Sequence, residues 1–326
     1  MANKGGTSGR FVTRKDFLRL SGAAAAATCL PWLPVVTPCQ AAALNISEVA
    51  PGLFVHKGHH ALVSPENGGD ISNLSIIVGR DAVAVVDTGG SVTVGRGLRD
   101  AITAITDKPI RFVINTHMHP DHVFGNAAFE ADKPLFVAHH KMARGLSARA
   151  ENYIKSNTRM IGEAAFAGSA IIMPTEHVKD RLDLDLGDRV ITLVARPTAH
   201  TDNDLTVFDQ STGTLILGDL LFSGHCPTLD GSIAGWIKLI DTMRGENAKR
   251  VVPGHGPASM AWPDALEPLD RYLRRIADDV RSMIKAGDPI SEAIKTAGSQ
   301  EKAQWLLSDE FHVRNVTAAY AELEWE

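Results

Sequence analysis

The densest group of chemically capable side chains is the seven-residue stretch Thr-His-Met-His-Pro-Asp-His, which ends at His122. It places the imidazoles of His117, His119 and His122 beside the carboxylate of Asp121. Nitrogen and carboxylate ligands of this kind suit zinc, with iron and manganese as alternatives. In an extended chain, residues i and i+2 point to the same side, so His117 and His119 are expected to face one point. The proline that follows starts a turn or helix that aims Asp121 and His122 at another point, which predicts two neighbouring metal positions.

Three more candidate ligands lie far along the chain: His200, Asp219 and His255. Each is expected just past an apolar run that has the pattern of a strand, beside small residues that let a metal approach the backbone. With the first group they make five histidines and two aspartates, enough to surround two metal ions.

The elements that must position these residues alternate between strand and helix. Apolar runs predict strands at 71–78, 82–86, 110–115, 135–138, 190–194, 205–208, 215–217 and 250–252. Helical periodicity predicts helices at 91–106, around 141–166, at 233–243 and at 266–286. Helices that cover sheets in one domain are the simplest arrangement of this pattern.

The order His117-x-His119-x-Asp121-His122, then His200, Asp219 and His255, resembles the metallo-β-lactamase superfamily over roughly residues 50–260. Asp87, in Val-Val-Asp-Thr-Gly, also matches the first motif of that family. The resemblance implies an α/β fold, a four-layer αβ/βα sandwich, with C-terminal helices added to it from about residue 262.

The resemblance also implies roles for these residues, all of them for a centre of two Zn²⁺ ions. His117, His119 and His200 would hold the first metal, whereas Asp121, His122 and His255 would hold the second. Asp219 would bridge the two ions. Asp121 and Asp87 are the candidate catalytic residues: Asp121 would orient the nucleophile or move its proton, and Asp87 would orient a ligand. The implied reaction is hydrolysis of a small-molecule ester, thioester, lactone or amide by metal-activated hydroxide.

The position that carries Asp219 separates subgroups of the superfamily. Many zinc β-lactamases have a cysteine ligand there, whereas an aspartate is similar to glyoxalase II and acyl-homoserine lactonases. His225 and Cys226 follow a few residues later and are candidates for the pocket lining. The alternatives are a β-lactamase, a mononuclear iron enzyme that oxygenates sulfur compounds, and a non-catalytic metal-binding redox partner.

Further stretches, among them Leu229-Asp-Gly-Ser and the C-terminal tail from Asn315, resemble the exported quinoprotein relay system zinc metallohydrolases, also called SoxH-like. This resemblance covers nearly the whole chain after residue 43. It implies a periplasmic quinoprotein or cytochrome as a partner and a link to alcohol or sulfur oxidation.

Residues 1–43 have the pattern of an export signal: a basic segment, an Ala-rich apolar run and small residues up to Ala43. The segment around Arg14-Lys15 resembles a twin-arginine signal with lysine as the second basic residue. We therefore expect a periplasmic protein whose single domain is 44–326. The net charge of −5 argues against nucleic-acid binding, and no apolar run is long enough for stable membrane insertion.

Overall fold

The computed structural model describes residues 44–326. The predicted export signal at 1–43 lies outside the described residues and stays a prediction. The strands are β1 (Ile46–Ala50), β2 (Leu53–His56), β3 (Leu74–Val78), β4 (Val83–Val86), β5 (Ile110–Ile114), β6 (Leu135–His139), β7 (Glu176–Val178), β8 (Arg181–Asp185), β9 (Val190–Ala195), β10 (Leu205–Asp209), β11 (Thr214–Phe222), β12 (Arg250–His255) and β13 (Met260–Ala261).

Helices alternate with these strands and also follow them. They are α1 (Val92–Ile105), α2 (Pro120–Val123), α3 (Met142–Ile161), α4 (Glu163–Phe166), α5 (Ile233–Met243), α6 (Glu267–Ala286), α7 (Ile290–Thr296), α8 (Ser299–Lys302) and α9 (Ser308–Leu323). Two 3₁₀ helices span Phe124–Asp132 and Asp264–Leu266. None of the described helices is long and apolar enough to cross a bilayer.

The strands form two sheets. The first sheet has seven strands in the order β1 to β7; β1 to β4 pair antiparallel, and β4 to β7 pair parallel. The second sheet has six strands in the order β13-β12-β11-β10-β9-β8, and among them only β11 and β12 are parallel. The carboxyl ends of β4 and β5 lead into Asp87 and His117, whereas Asp219 and His255 lie on β11 and β12. The candidate ligands therefore come from both sheets.

Three apolar layers hold the fold together. Side chains that alternate along strands point to opposite faces, so Ile77 of β3 and Ile216 of β11 meet between the two sheets. Leu74 and Ile76 point the other way and pack on α1. Leu217 and its neighbours on the outer face of the second sheet pack on α5, α6 and α9. The result is the predicted four-layer αβ/βα sandwich with C-terminal helices.

Several predicted element bounds are wrong. The strand predicted at 215–217 runs on through Asp219 to Phe222, because parallel pairing with β12 continues across the irregularity at Gly218. The strand predicted at 250–252 likewise continues to His255. Asp219 and His255 thus lie within strands and not beyond them. The helix predicted around 141–166 is broken at Gly162, whose φ of +92° no helix accommodates.

Candidate metal centre

Four side chains that are distant in sequence converge into a first ligand group: His117, His119, His200 and Asp219. One ligand atom from each lies within 4.8 Å of the others. Nε2 of His200 lies 3.0 Å from Nδ1 of His119 and 3.5 Å from Oδ2 of Asp219. Nε2 of His117 lies 3.6 Å from the same carboxylate oxygen. This is the set predicted for one metal ion.

A second ligand group lies beside the first and consists of Asp121, His122 and His255. Oδ2 of Asp121 lies 3.3 Å from Nε2 of both histidines. Oδ1 of Asp219 lies 3.1 Å from Nε2 of His122 and 3.4 Å from Nε2 of His255. The two oxygens of Asp219 thus face different groups, which is the arrangement expected of a bridging carboxylate.

Two glycines make the position of Asp219 attainable. Gly218 has a φ of +53°, and a Cβ there would lie 2.4 Å from Oγ1 of Thr116. A Cβ on Gly254 would lie 2.0 Å from Oδ1 of Asp219 itself. These residues make room for the carboxylate and for the loop that follows β5 and carries His117, rather than for a metal to approach the backbone as predicted.

Every histidine of the two groups has its other ring nitrogen within hydrogen-bond distance of an oxygen outside the groups. The acceptors are Thr116 Oγ1 for His117 (3.1 Å), Asp230 Oδ2 for His119 (3.1 Å), Asp87 Oδ2 for His122 (2.8 Å), Thr228 O for His200 (2.7 Å) and Ile71 O for His255 (2.9 Å). A ring that donates from one nitrogen presents a lone pair on the other. All five rings can therefore offer a lone pair towards the group centres, as metal ligation requires.

Asp87 acts through His122 and does not face the ligand atoms. Its carboxylate also accepts hydrogen bonds from the backbone N and the Oγ1 of Thr116, at 2.8 and 2.7 Å. Its φ of +59° is in the left-handed region, where aspartate is tolerated better than most residues. These contacts support the predicted role of orienting a ligand, so Asp87 is a positioning residue.

The buried polar atoms of the cluster fit a bound cation. Among the described residues, Nε2 of His117, Nε2 of His122 and Oδ1 of Asp219 are buried without a hydrogen bond of acceptable geometry. Burying such atoms unpaired is costly, whereas a metal ion between them would engage all three. The residues present therefore fit the implied metal centre.

The pKa shifts of the ligand residues also fit a bound cation. Burial by itself would raise the pKa of the Asp219 carboxyl, but His255, His122 and His117 outweigh burial and hold that pKa well below its ordinary value. Burial would lower the pKa of His255, but Asp219 and Asp121 raise it to about 9. Asp219, Asp121 and Asp87 likewise outweigh burial and raise the pKa of His122, so these carboxylates favour positive charge at the second ligand group. In the first group, burial and the neighbouring imidazoles lower the pKa of His117, and burial and His119 lower that of His200 to about 3, so both rings favour the neutral form that ligates a metal.

The two predicted pocket residues lie in different surroundings. The ring of His225 stacks on that of His255, with centroids 4.9 Å apart, so it adjoins the second ligand group. Cys226 is fully buried, and its Sγ lies 3.4 Å from the hydroxyl of Tyr272. Burial raises the pKa of this thiol to about 11. Its side chain packs against the C-terminal helices and belongs to neither ligand group.

Sequence reasoning did not assign roles to Asp230 and Arg149. Asp230 accepts from His119, and Arg149 of α3 donates to Asp230 and fixes its carboxylate. These contacts hold the pKa of Asp230 below its ordinary value, against the effect of burial. The stretch that starts at Leu229 resembles a family motif, and that resemblance assigns no contact to Asp230. Asp230 and His119 are 111 positions apart, so no local pattern reveals the contact.

Solved structures with the same fold include TMB-1 and two metallo-β-lactamases. TMB-1 matches with a TM-score of 0.56 and 19% identity over 72% of this chain and 98% of its own. A metallo-beta-lactamase from Pontibacter korlensis matches with a TM-score of 0.55 and 18% identity over 71% and 99%. DIM-1 matches with a TM-score of 0.56 and 17% identity over 72% and 98%. At these identities the likeness shows the fold.

The family follows from the sequence itself: residues 67–255 match the Metallo-beta-lactamase superfamily, and the chain belongs to it. Among curated proteins, a linear primary-alkylsulfatase of Pseudomonas sp. (strain ATCC 19151) is 23% identical over 61% of this chain and 43% of its own length. A beta-lactamase-like protein 2 homolog of Caenorhabditis elegans is 24% identical over 62% and 60%. The chain thus spans about half the length of these relatives. Membership of the superfamily supports the predicted enzyme class, a metal-dependent hydrolase.

Proposed function

We propose that this protein is a dinuclear zinc hydrolase that cleaves an ester, thioester, lactone or amide. The observation that carries the proposal is the position of Asp219, whose Oδ2 faces His117 and His200 while its Oδ1 faces His122 and His255. One carboxylate between two separate ligand groups is what a pair of ions requires. Five imidazoles and two carboxylates form a donor set that suits zinc.

When bound, zinc would supply Lewis acidity and lower the pKa of bound water to about 7. The protein's own side chains would bind the two ions, leave space for the substrate, and orient the nucleophile or move its proton. The side chains of Asp121 and His119 are 15% and 16% exposed, whereas those of His122 and His200 have no exposure. The open side of the cluster therefore lies at Asp121 and His119. His122 and His255 outweigh burial and hold the pKa of Asp121 well below its ordinary value, so it stays a carboxylate that can orient a nucleophile there.

The alternatives fit the site less well. A β-lactamase with a thiolate ligand would need Cys226 in the cluster, but its Sγ lies against Tyr272. A mononuclear iron enzyme would use one ligand group only, so the group of Asp121, His122 and His255 would bind no metal. A non-catalytic redox partner would have no need of seven converging ligand side chains.

The proposed substrate classes rest on the chemistry of the metal site and on the names of the curated relatives. The alkylsulfatase among the relatives makes a sulfate ester a further class worth assay beside the carboxylic ones. We also propose that the protein belongs with the SoxH-like, quinoprotein relay system metallohydrolases and is exported to the periplasm by the twin-arginine route. The stretches that begin at Leu229 and Asn315 and the basic and Ala-rich residues before position 44 support this proposal.

The test combines a metal count with a substrate screen on the zinc-loaded protein. The panel holds aryl and alkyl esters, thioesters, lactones, nitrocefin and alkyl sulfates, each measured with and without a chelator. We expect two zinc ions per chain and chelator-sensitive hydrolysis of at least one ester, thioester, lactone or amide, with nitrocefin turnover far lower. One iron per chain with oxygen consumption, or no turnover by a protein that holds two zinc ions, would refute the proposal.

A further inference from the structure

The ligand groups depend on a loop that lies outside them, residues 226–232 between β11 and α5. Its Thr228 carbonyl accepts from Nδ1 of His200 at 2.7 Å, and its Asp230 carboxylate accepts from His119 at 3.1 Å. The backbone N of Asp230 also donates to the carbonyl of His200 at 3.0 Å. This loop therefore sets the orientation of two histidines of the first ligand group and touches none of the second group's rings in this way.

Helix α9 holds this loop in place through hydrogen bonds of Asn315. The Nδ2 of Asn315 donates to the Pro227 carbonyl at 2.7 Å, and its Oδ1 accepts from the backbone N of Leu229 at 2.9 Å. These two bonds enclose Thr228 between them. Asn315 is buried, and its Nδ2 lies 3.0 Å from the hydroxyl of Tyr272, so its amide is fixed in place.

A second residue of α9 fixes the far end of the same loop. Oε1 of Glu322 accepts from Oγ of Ser232 at 2.6 Å, and Oε2 accepts from the backbone N of Ile233 at 2.7 Å. This carboxylate satisfies an N–H at the start of α5, where negative charge is favourable. Asn315 therefore binds the loop before Asp230, and Glu322 binds it after Asp230. We call Asn315 and Glu322 the C-terminal clamp.

We propose that the C-terminal clamp is part of the scaffold of the first metal position, so that Asn315 and Glu322 are positioning residues for His200 and His119. The inference rests on the proposed dinuclear centre and extends it, because α9 lies beyond the residues 67–255 that define the family. Disturbing the clamp is expected to weaken the first metal position and to spare the second.

The test is Asn315→Asp in the full chain, which keeps the shape of the side chain but turns the Nδ2 donor into an oxygen that faces the Pro227 carbonyl. Zinc affinity is measured by competition with a chromophoric chelator in two backgrounds. His255→Ala keeps the first ligand group intact, and His119→Ala keeps the second. Tyr320→Phe is the matched control, because it removes a hydrogen bond from α9 to the Asp288 carbonyl that does not involve the loop.

We expect Asn315→Asp to raise the zinc Kd about tenfold in the His255→Ala background, as disturbed outer contacts of metal ligands do. In the His119→Ala background the change should be below about twofold, and Tyr320→Phe should change neither Kd. If Asn315→Asp does not fold, Glu322→Gln carries the same expectation. Equal shifts in both backgrounds, or no shift in the first, would overturn the clamp while leaving the dinuclear centre intact. No zinc binding in either background would overturn both.

Discussion

Replacing Asp219 by asparagine removes the bridge between the ligand groups with almost no change in shape. The amide keeps one oxygen, so only one of the two groups retains an oxygen ligand from position 219, and the NH₂ faces the histidines of the other. We expect the metal content to fall from two zinc ions per chain to about one.

The loss of activity follows from the loss of one ion. A metal supplies several kcal/mol of charge stabilisation in the transition state, and 1.36 kcal/mol corresponds to a factor of ten in rate. A loss of about 4 kcal/mol therefore predicts that kcat/KM falls about 1,000-fold on the best substrate of the panel. The metal content is counted by elemental analysis on the same sample.

A matched control is Asp183→Asn, which alters an exposed carboxylate of β8 in the same sheet that pairs with Arg181. It should keep two metals and full activity. If Asp219→Asn retained two zinc ions and a kcat/KM within about threefold of the wild type, the bridging role would be refuted.

Three further predictions concern residues around the site and away from it. In Asp87→Asn, the asparagine can adopt the left-handed backbone conformation, so the fold should stay intact by circular dichroism. The hydrogen bond that orients His122 is weakened, so zinc affinity at the second position should fall about 10- to 100-fold in a chelator titration. Cys226→Ala should keep both metals, and a lost metal would show that the thiol is a ligand after all. Burial, aided by neighbouring cationic groups, lowers the pKa of His139 to about 4, so its contribution to stability is present above pH 6.5 and is lost as the pH falls towards 4. The wild type should therefore lose about 1–2 kcal/mol more unfolding free energy than His139→Gln between pH 7 and 5, a figure reduced for partial solvation; equal losses in urea titrations would contradict this reasoning.

Much of the site was predictable because its geometry is local. The alternation of His117 and His119 after a strand, followed by a proline that turns the chain, aims two pairs of ligands at two points, and the structure brings them together as expected. Helix α1 was predicted almost to the residue, since Ser91 caps its start and its apolar residues recur with helical spacing.

What the sequence could not reveal depends on contacts between distant elements. The strand that carries Asp219 was predicted to end at Leu217, but pairing with β12 continues it to Phe222, and no periodicity signals that pairing. The outer contacts of His119 and His200 come from a loop whose own support lies on α9. Such contacts are set by tertiary packing and leave no mark in local composition.

The most direct test of the central claim is a crystal structure of the zinc-loaded protein with anomalous data collected above and below the zinc edge. We expect two anomalous peaks, one enclosed by His117, His119 and His200 and the other by Asp121, His122 and His255, with the carboxylate of Asp219 between them. A single peak, or peaks away from Asp219, would contradict it.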